Sequence, residues 1–593
     1  MSVTPRGMSV QEAYREYSDG NFRVNRQYQR KLVWTFEEKR RLIDSVLSGY
    51  PIPLILLATK VDEEGVKKYE IIDGMQRLNA VFSFMENKFD IEGKYFDIEQ
   101  SARAKQVSEE GGFEVKGEMF GLLDAEQCAN LLEYTFAITE FPAVDPDAVN
   151  EVFGRINAYG RQLSAQEKRQ AGVISLFANT VREIASELRG DASSSFLDLS
   201  EMPQISIDVG GDDPDYGVRA DNTFWCRQGI LRRNQLREAE DEQFVADLVI
   251  SILENEPFAF SGSLLDRYYD SEAEEYRRIN AQLYSYGDDA IKNAVVSTFS
   301  IIRTVLESVD DSHNALRRII HPSSGANPIK TGFYAVFMAF YDLVVRENKV
   351  PYDNHRIIES MSNLQDRLHV AAGQIRSGPR EQNISATKGL IQNFFEEREP
   401  GSGLQGVGLV LRFENALRRS KVETSAYECK QGFVSLCHER NYNFDLLERL
   451  VKTVCGIANI GPQSSGAIFV GVSDDERQKN IIEELDGVNA LSVGARFVVG
   501  VDRELGFSSL DLEGYKRRVV DYFASSSLSD SLKGDVLSTI DCIEYRGMSV
   551  LCIWVPSQDS VSTVDDVVFI RQGSSTVEVQ GFSQQQAVVR RFS

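Results

Sequence analysis

The stretch Glu399–Gly408 (EPGSGLQGVG) constrains this chain more than any other part of its sequence. Its density of Gly, Pro and Ser reads as a linker, because these residues supply turns and leave little to pack. The chain therefore divides there, and each side has to bury a core of its own. The pattern also changes along the chain. Residues 1–175 alternate helix and strand signals, residues 176–398 read as mainly helical, and residues 409–593 mix strands with amphipathic helices. At about 150 residues per domain, a length of 593 accommodates domains at 1–175, 176–398 and 409–593, joined by a linker at 399–408. The expected fold class is α+β and multidomain.

Charge narrows the partners. Asp and Glu number 89 against 65 Lys and Arg, a net charge of -24. Non-specific binding to DNA needs a basic surface, so a generic polyanion binder is excluded. One segment still concentrates positive charge: Arg23, Arg26, Arg30, Lys31, Lys39, Arg40 and Arg41. Lys31, Lys39, Arg40 and Arg41 are its candidates for nucleic-acid contact, and a solvated helix face is the alternative. With 42% hydrophobic and 26% charged residues, the chain has a globular balance. Its 7 cysteines form no CxxC pair, which reads as reduced usage. The start MSVTPRGMSV shows no apolar signal-peptide core, and Ile52–Ala58 is too short to span a bilayer. The expected location is the cytoplasm, away from membranes.

The first hundred residues place a distinctive string. Thr35 and Glu38 form a TxxE capping box, Leu42, Ile43, Val46 and Leu47 make an apolar stripe, and Gly49 ends that helix. Pro51–Ala58 reads as a buried strand, VDEEGVKK as a turn and Tyr69–Ile72 as a second strand. Asp73-Gly74 is a turn into a helix from Met75 to about Lys88, with Leu78, Val81, Phe82 and Met85 on its apolar side. The run IIDGMQR thus sets polar groups where a buried strand meets a helix start. Free N–H groups and the helix dipole suit an anion there. Gly74 admits close approach, Arg77 suits phosphate, Asp73 suits a cation or a water, and Gln76 suits a ligand hydrogen bond. A plain Asp-Gly turn with an Asp cap explains the same spacing.

Further along, the acidic run Asp208–Gly217 reads as a loop, and helical spacing recurs at Phe244–Leu253, Ala294–Leu306 and Gly332–Val345. Beyond the linker come a helix at Leu409–Arg419, a strand in SAYECK, an amphipathic helix through Leu446–Cys455, and strands at Ala467–Val472, Val550–Val555 and Val567–Ile570. The loop GPQSSG at 461–466 has GxxxxG spacing, but Ala467 and Ile468 follow it. A phosphate-binding P-loop needs Lys and Ser or Thr there, so this one is rejected. Glu423, Glu428, Asp474 and Asp475 lie at strand ends, where converging carboxylates hold Mg²⁺ or Mn²⁺ and a metal activates water for phosphodiester cleavage. Solvated carboxylates, common in so acidic a chain, are the alternative.

Two resemblances add to this reading. YQRKLVWTFEEKRRLIDSVLSGYPIPLILL, then YEIIDGMQRLNAVFSF, then VFGRINAYGRQLSAQEKRQA resemble the DGQQR family, the ParB/sulfiredoxin-like domain that opens GmrSD-type restriction enzymes and related phage-defence proteins. The resemblance covers about residues 10–175. It implies nucleoside triphosphate binding and hydrolysis coupled to sensing or cutting foreign DNA. It also implies roles for Asp73, Gly74, Gln76 and Arg77, for Arg30 and Trp34 upstream, and for Arg155, Asn157 and Gly160 downstream. The family's first Gln is Met75 here, which cannot make an amide's hydrogen bonds. The HNH nuclease that usually follows has no counterpart among the 5 histidines.

Beyond the linker, ETSAYECK, LLERLVKTVCGIANIGPQSSGAIFVGVSDDE, VLCIWVP and VVFIRQGSST resemble the Schlafen AlbA-like domain over about residues 407–580. Some of its members are metal-dependent RNases whose carboxylates correspond to Glu423, Glu428 and Asp474 or Asp475; others only bind nucleic acid or a nucleotide. Ser473 stands where an Asp is common, and the helix–strand loop is longer. Lys430 and Arg571 are the candidate nucleic-acid contacts, and Arg571, Gly573, Ser574 and Ser575 form a turn that binds phosphate or closes the sheet. The expectation is a prokaryotic anti-phage protein, an NTPase acting on nucleic acid, DNA before RNA. The alternatives are a non-catalytic nucleotide-dependent sensor and a subunit of a larger defence complex. A homo-oligomer is compatible with either.

Overall fold

The computed structural model describes residues 4–592 apart from 27–30, 62–64, 111, 114, 117–120, 143–163, 171–172, 174, 192–195, 203, 207–216, 370–374, 399–404, 421–424, 438–439, 444, 463 and 509. Two compact units divide the chain, Met1–Ser402 and Gly403–Ser593. Both mix helices and sheets.

The first unit opens with β1 (Thr4–Ser9), α1 (Val10–Ser18), β2 (Phe22–Asn25), α2 (Phe36–Leu47), β3 (Ile55–Val61), β4 (Lys67–Asp73), α3 (Met75–Met85) and β5 (Thr135–Pro142). The Thr35–Glu38 capping box forms and starts α2 as its sequence requires. The strand expected from Pro51 begins only at Ile55, because Pro51 and Pro53 lack the N–H that a sheet needs. The helix expected to reach Lys88 stops at Met85, and Asn87 turns left-handed with φ 55° just after it. α4 (Leu176–Arg189) and β6 (Phe196–Asp198) follow, and β6 completes a six-stranded sheet of order β1-β5-β3-β4-β2-β6. β3 and β4 occupy its centre as an antiparallel pair, with Leu57 opposite Ile71. The Asp73-Gly74 junction therefore stands at the end of a central strand.

Helices form the rest of this unit, chiefly α5 (Glu240–Leu253), α6 (Asp288–Glu307) and α7 (Lys330–Tyr341). The helical spacing read at 332–345 ends in a wider turn over Asp342–Arg346. From Gly332 to Tyr341 every residue of α7 is buried, as expected of a helix apolar all round. Trp225 packs at the centre, with ring centroids 5.3 Å from Phe299, 5.6 Å from Phe244 and 5.9 Å from Phe333.

One polar cluster joins these helices to the sheet layer. Arg189 at the end of α4 has a fully buried side chain and pairs with Asp191 at 3.1 Å, with Glu242 at 3.4 Å and with Asp241. Lys31, just before α2, reaches Glu242 at 3.2 Å, and Arg26 reaches Asp191 at 3.5 Å. Burial pushes the Glu242 carboxyl up, but the charges of Lys31, Arg189 and Arg182 overcome it and hold the group at about 2.

In the second unit the order is α8 (Gln405–Arg419), β7 (Tyr427–Lys430), α9 (Asp445–Ala458), β8 (Gly466–Val470), α10 (Leu512–Ser525), β9 (Ile540–Tyr545), β10 (Met548–Val555), β11 (Phe569–Gln572) and β12 (Ser575–Glu578). Helix α8 begins inside the glycine-rich stretch, four residues before the expected Leu409. The four-stranded sheet runs β7-β8-β10-β9, with β7 and β8 parallel and the other pairs antiparallel. Both faces are covered. Ile468, Val470, Leu551 and Ile553 pack with α9 and α10 on one side, while Ala467, Phe469, Val550 and Cys552 pack with α8 on the other. The two-residue period of a strand sends neighbours to opposite cores, which is why these strands read as unbroken apolar runs.

The buried charges set a test of the first unit. Arg189→Met leaves Asp191, Asp241 and Glu242 without their central cation and lowers unfolding free energy by about 3–5 kcal/mol, measured by urea denaturation. In the unmodified chain, the stability that Glu242 contributes is fully present above its ordinary value of 4.5 and drains away as pH falls towards about 2. A pH series of denaturation curves checks the direction.

Candidate functional site

The junction between β4 and α3 is built from three successive constraints. Asp73 ends the central strand. Gly74 then turns the backbone at φ 104°, and a Cβ there would stand 3.0 Å from Ile55 Cγ1. Only glycine meets both the left-handed φ and the close approach. Helix α3 starts at once, with no side chain capping it, so the first-turn N–H groups and the positive dipole end remain available.

The side chains then diverge. Met75 turns inward and is 3% exposed in the core. At this position the departure from the DGQQR pattern changes a core residue and takes no polar group from the outward face. Asp73 accepts the Gly74 N–H at 2.8 Å through one oxygen and Arg77 Nη2 at 2.7 Å through the other. Asp73 is 44% exposed and Arg77 only 11%. Arg77 Nη1 is buried and has no hydrogen-bond partner among the described residues. The junction thus offers a guanidinium donor, a helix start and an accessible carboxylate, which together suit a phosphate and its counter-cation.

Gln76 does something other than meet a ligand. Its amide oxygen accepts the N–H groups of Val33 at 3.1 Å and Trp34 at 3.3 Å, and its nitrogen donates to the Lys31 carbonyl at 2.7 Å. Gln76 therefore pins residues 31–34 against the start of α3 and acts as a positioning residue. Trp34 packs half-buried against the core. Arg30, Arg155, Asn157 and Gly160 lie outside the described residues.

The basic segment departs from expectation. Lys31 is buried and spent on Glu242, and Lys39 is buried at 2% with its ammonium near the rings of Phe36 and Phe89. Neither meets nucleic acid, because each has lost its solvent to the core. Arg40 donates to the Asp90 carboxylate at 2.6 Å and its carbonyl at 2.8 Å, and Arg41 pairs with Glu37 one turn away. Arg40 and Arg41 keep exposure but not uncompensated charge.

Among its described residues, the second unit gathers no metal set of carboxylates. Glu428 on β7 is held between Lys430 and Arg571, the latter at 2.8 Å. Arg571 is 1% exposed and also bonds the Ser425 carbonyl at 3.1 Å and Thr576 Oγ1 at 2.9 Å. It closes the β11–β12 hairpin onto β7, which corrects its reading as a nucleic-acid contact. Lys430 is paired with Glu428 rather than free. Asp474 is exposed, and Asp475 is exposed and caps its helix by accepting the Arg477 N–H at 2.8 Å. Glu423 lies outside the described residues, among which no three His, Cys, Asp or Glu side chains gather as a metal set.

Two buried polar residues escaped the sequence reading. Asn459 bonds the carbonyls of Ser562 at 2.9 Å and Phe569 at 2.8 Å and accepts the Ser562 N–H at 2.8 Å. Glu504, fully buried, accepts the N–H groups of Phe433 at 2.8 Å and Val434 at 2.9 Å and the Tyr515 hydroxyl at 2.8 Å. Asn459 carried a signal, as a lone amide just past the apolar end of α9. Glu504 carried none, since these three partners lie 11 to 71 residues away and only the Arg503 guanidinium, at 3.2 Å, is a sequence neighbour.

With this geometry in place, comparison with known proteins gives one likeness. Residues 10–174 match the family model described as GmrSD restriction endonuclease, N-terminal domain. No curated protein matches the chain. No helix among the described residues is long and apolar enough to cross a membrane.

Two variants test the positioning roles. Gln76→Ala removes the grip on residues 31–34 and leaves buried N–H groups unpaired, lowering stability by about 2–4 kcal/mol. Arg571→Met lowers the melting temperature of the second unit as it leaves Glu428 and Thr576 without their donor. An Arg571 that served only a ligand would leave the melting temperature unchanged.

Proposed function

We propose that this chain is a restriction-like defence protein whose first unit binds and hydrolyses a nucleoside triphosphate at the Asp73–Arg77 junction. Arg77 carries the reading. A guanidinium this buried, with Nη1 unpartnered among the described residues, sits beside an uncapped helix start. Burying such a donor unmet is costly, and a phosphate oxygen relieves it. The likeness of residues 10–174 to the N-terminal domain of a restriction endonuclease supports the same reading and points to foreign nucleic acid as the target.

Each group then has a task. The first-turn N–H groups and Arg77 hold phosphate oxygens. Asp73, accessible and adjacent, holds Mg²⁺ or orients the attacking water. A Mg²⁺ held by Asp73 would supply positive charge to the phosphates. Gln76 keeps residues 31–34 in place beside the site. The family resemblance assigns Arg30, Arg155 and Asn157 to the same nucleotide; they lie outside the described residues.

For the second unit, which resembles the Schlafen AlbA-like domain, we infer binding of nucleic acid without cleavage. One observation favours this over a nuclease. Glu428, the central carboxylate of that resemblance, is neutralised by Lys430 and Arg571. A carboxylate so paired is a poor metal ligand, and no hydrolytic step is derived through it.

The test measures phosphate release from ATP, GTP, CTP and UTP with Mg²⁺, with and without DNA, for the full chain and Arg77→Ala. Turnover of one nucleotide that falls by about 100-fold or more in the variant supports the catalytic reading. Absence of turnover with every nucleotide sinks it and leaves a binding-only sensor.

A further inference from the structure

The helical part of the first unit holds a cleft of about 570 Å³ that the junction at Asp73 does not touch. Its walls come from residues 221–234 and 314–328, around the short helices Phe224–Arg227, Arg233–Arg237 and Ala315–Ile320. Among the described residues, three arginines line it, Arg232, Arg233 and Arg317, against a single carboxylate, Asp221. Such a surplus stands out in a chain of net charge -24.

The surplus survives pairing. Arg233 Nε and Asp221 Oδ1 are 2.5 Å apart, so those two charges cancel. Arg232 bonds only neutral groups, the Asn327 side chain at 2.9 Å and the Ala326 carbonyl at 3.4 Å. Arg317 is half-buried and has neither an ion pair nor a hydrogen bond through its guanidinium among the described residues. Two guanidiniums therefore face the cleft uncompensated. The thiol of Cys226, also in the wall, is pushed up by burial to about 12 and adds no negative charge.

Arg317 is also placed by the backbone opposite. Gly229 has φ 72°, and a Cβ there would meet Arg317 Cδ at 2.9 Å and Nε at 3.2 Å. The missing side chain is what lets the arginine stem lie along this wall. None of the described residues lining the cleft is aromatic, so these walls give a base no ring to stack on. Guanidiniums in this setting recognise oxyanions by paired N–H donors.

We propose that this cleft is a second anion site, which holds phosphate groups through Arg232 and Arg317 and leaves any attached base unread. The chemistry is common to a nucleic-acid backbone and to a free nucleotide. The site shares no residue with the Asp73–Arg77 junction and stands whether or not that junction hydrolyses nucleotides.

The experiment uses the full chain carrying Arg77→Ala, so that the first site is silenced. Fluorescence anisotropy follows a labelled short single-stranded oligonucleotide and, separately, a fluorescent ATP analogue. Arg317→Ala and Arg232→Ala are each expected to weaken the bound probe by about tenfold. If the oligonucleotide is the probe affected, its salt slope falls by about 1 with each variant, and the backbone is the ligand. If only the ATP analogue weakens, a free nucleotide is the ligand. Arg232 is exposed, so its variant reports even where Arg317→Ala fails to fold. Affinity of both probes unchanged in the variants, or no binding of either probe, overturns the proposal.

Discussion

The first unit depends on a charge placed where charge is hardest to keep. Arg189 has no solvent, and an isolated guanidinium at that depth would be untenable. It is stable there because Asp191, Asp241 and Glu242 surround it and because Arg26 and Lys31 answer those carboxylates in turn. These residues come from the end of α4, the start of α5 and the segment leading into α2. Removal of any one leaves another buried and unmatched. The network therefore fixes how the helices lie on the sheet layer, with a directionality that apolar packing alone lacks.

The same segment is held from its other side by Gln76. Lys31 gives its carbonyl to the Gln76 amide and its ammonium to Glu242. The start of α3, where Asp73 and Arg77 lie, is thus braced through residues 31–34 to the helical body. On the proposed reading, a phosphate at Arg77 would meet a backbone that this brace already holds in place. Polar side chains serve the second unit in a similar way. Arg571 ties a hairpin to β7, Asn459 ties α9 to the strands and loops beside it, and Glu504 ties the turn at Phe433 and Val434. In each case a side chain meets backbone groups that the sheet leaves unpaired.

Charge shows how composition and structure part company. Residues 31–41 look basic as a string, yet Lys39 shares a helix face with Phe36, Ile43 and Val46, at spacings of three and four. That spacing put it towards the core, and the signal was present in the sequence. For Lys31 no such signal existed, because its partners lie more than two hundred residues away on α5. Among the described residues, unpaired positive charge of the helical part lies around Arg232 and Arg317, in two stretches, 222–237 and 312–341, that carry arginines and no acidic residue; that bias was visible in the sequence, but which guanidiniums stay unpaired was not.

What the sequence determined by itself is what short-range physics controls. The capping box at Thr35, the alternation that buries both faces of the second sheet, the strand–turn–helix at Asp73 and the glycine that turns it all follow from neighbours a few residues apart. Prolines 51 and 53 likewise marked where β3 had to wait. Tertiary structure decided the rest. It spent Gln76 on a backbone segment, turned Met75 into the core, neutralised Glu428 with Arg571, and left Arg77 and Arg317 each with donors unmet among the described residues. The fate of a long polar side chain depends on which groups the fold brings within about 3 Å of it, and no local pattern records that distance.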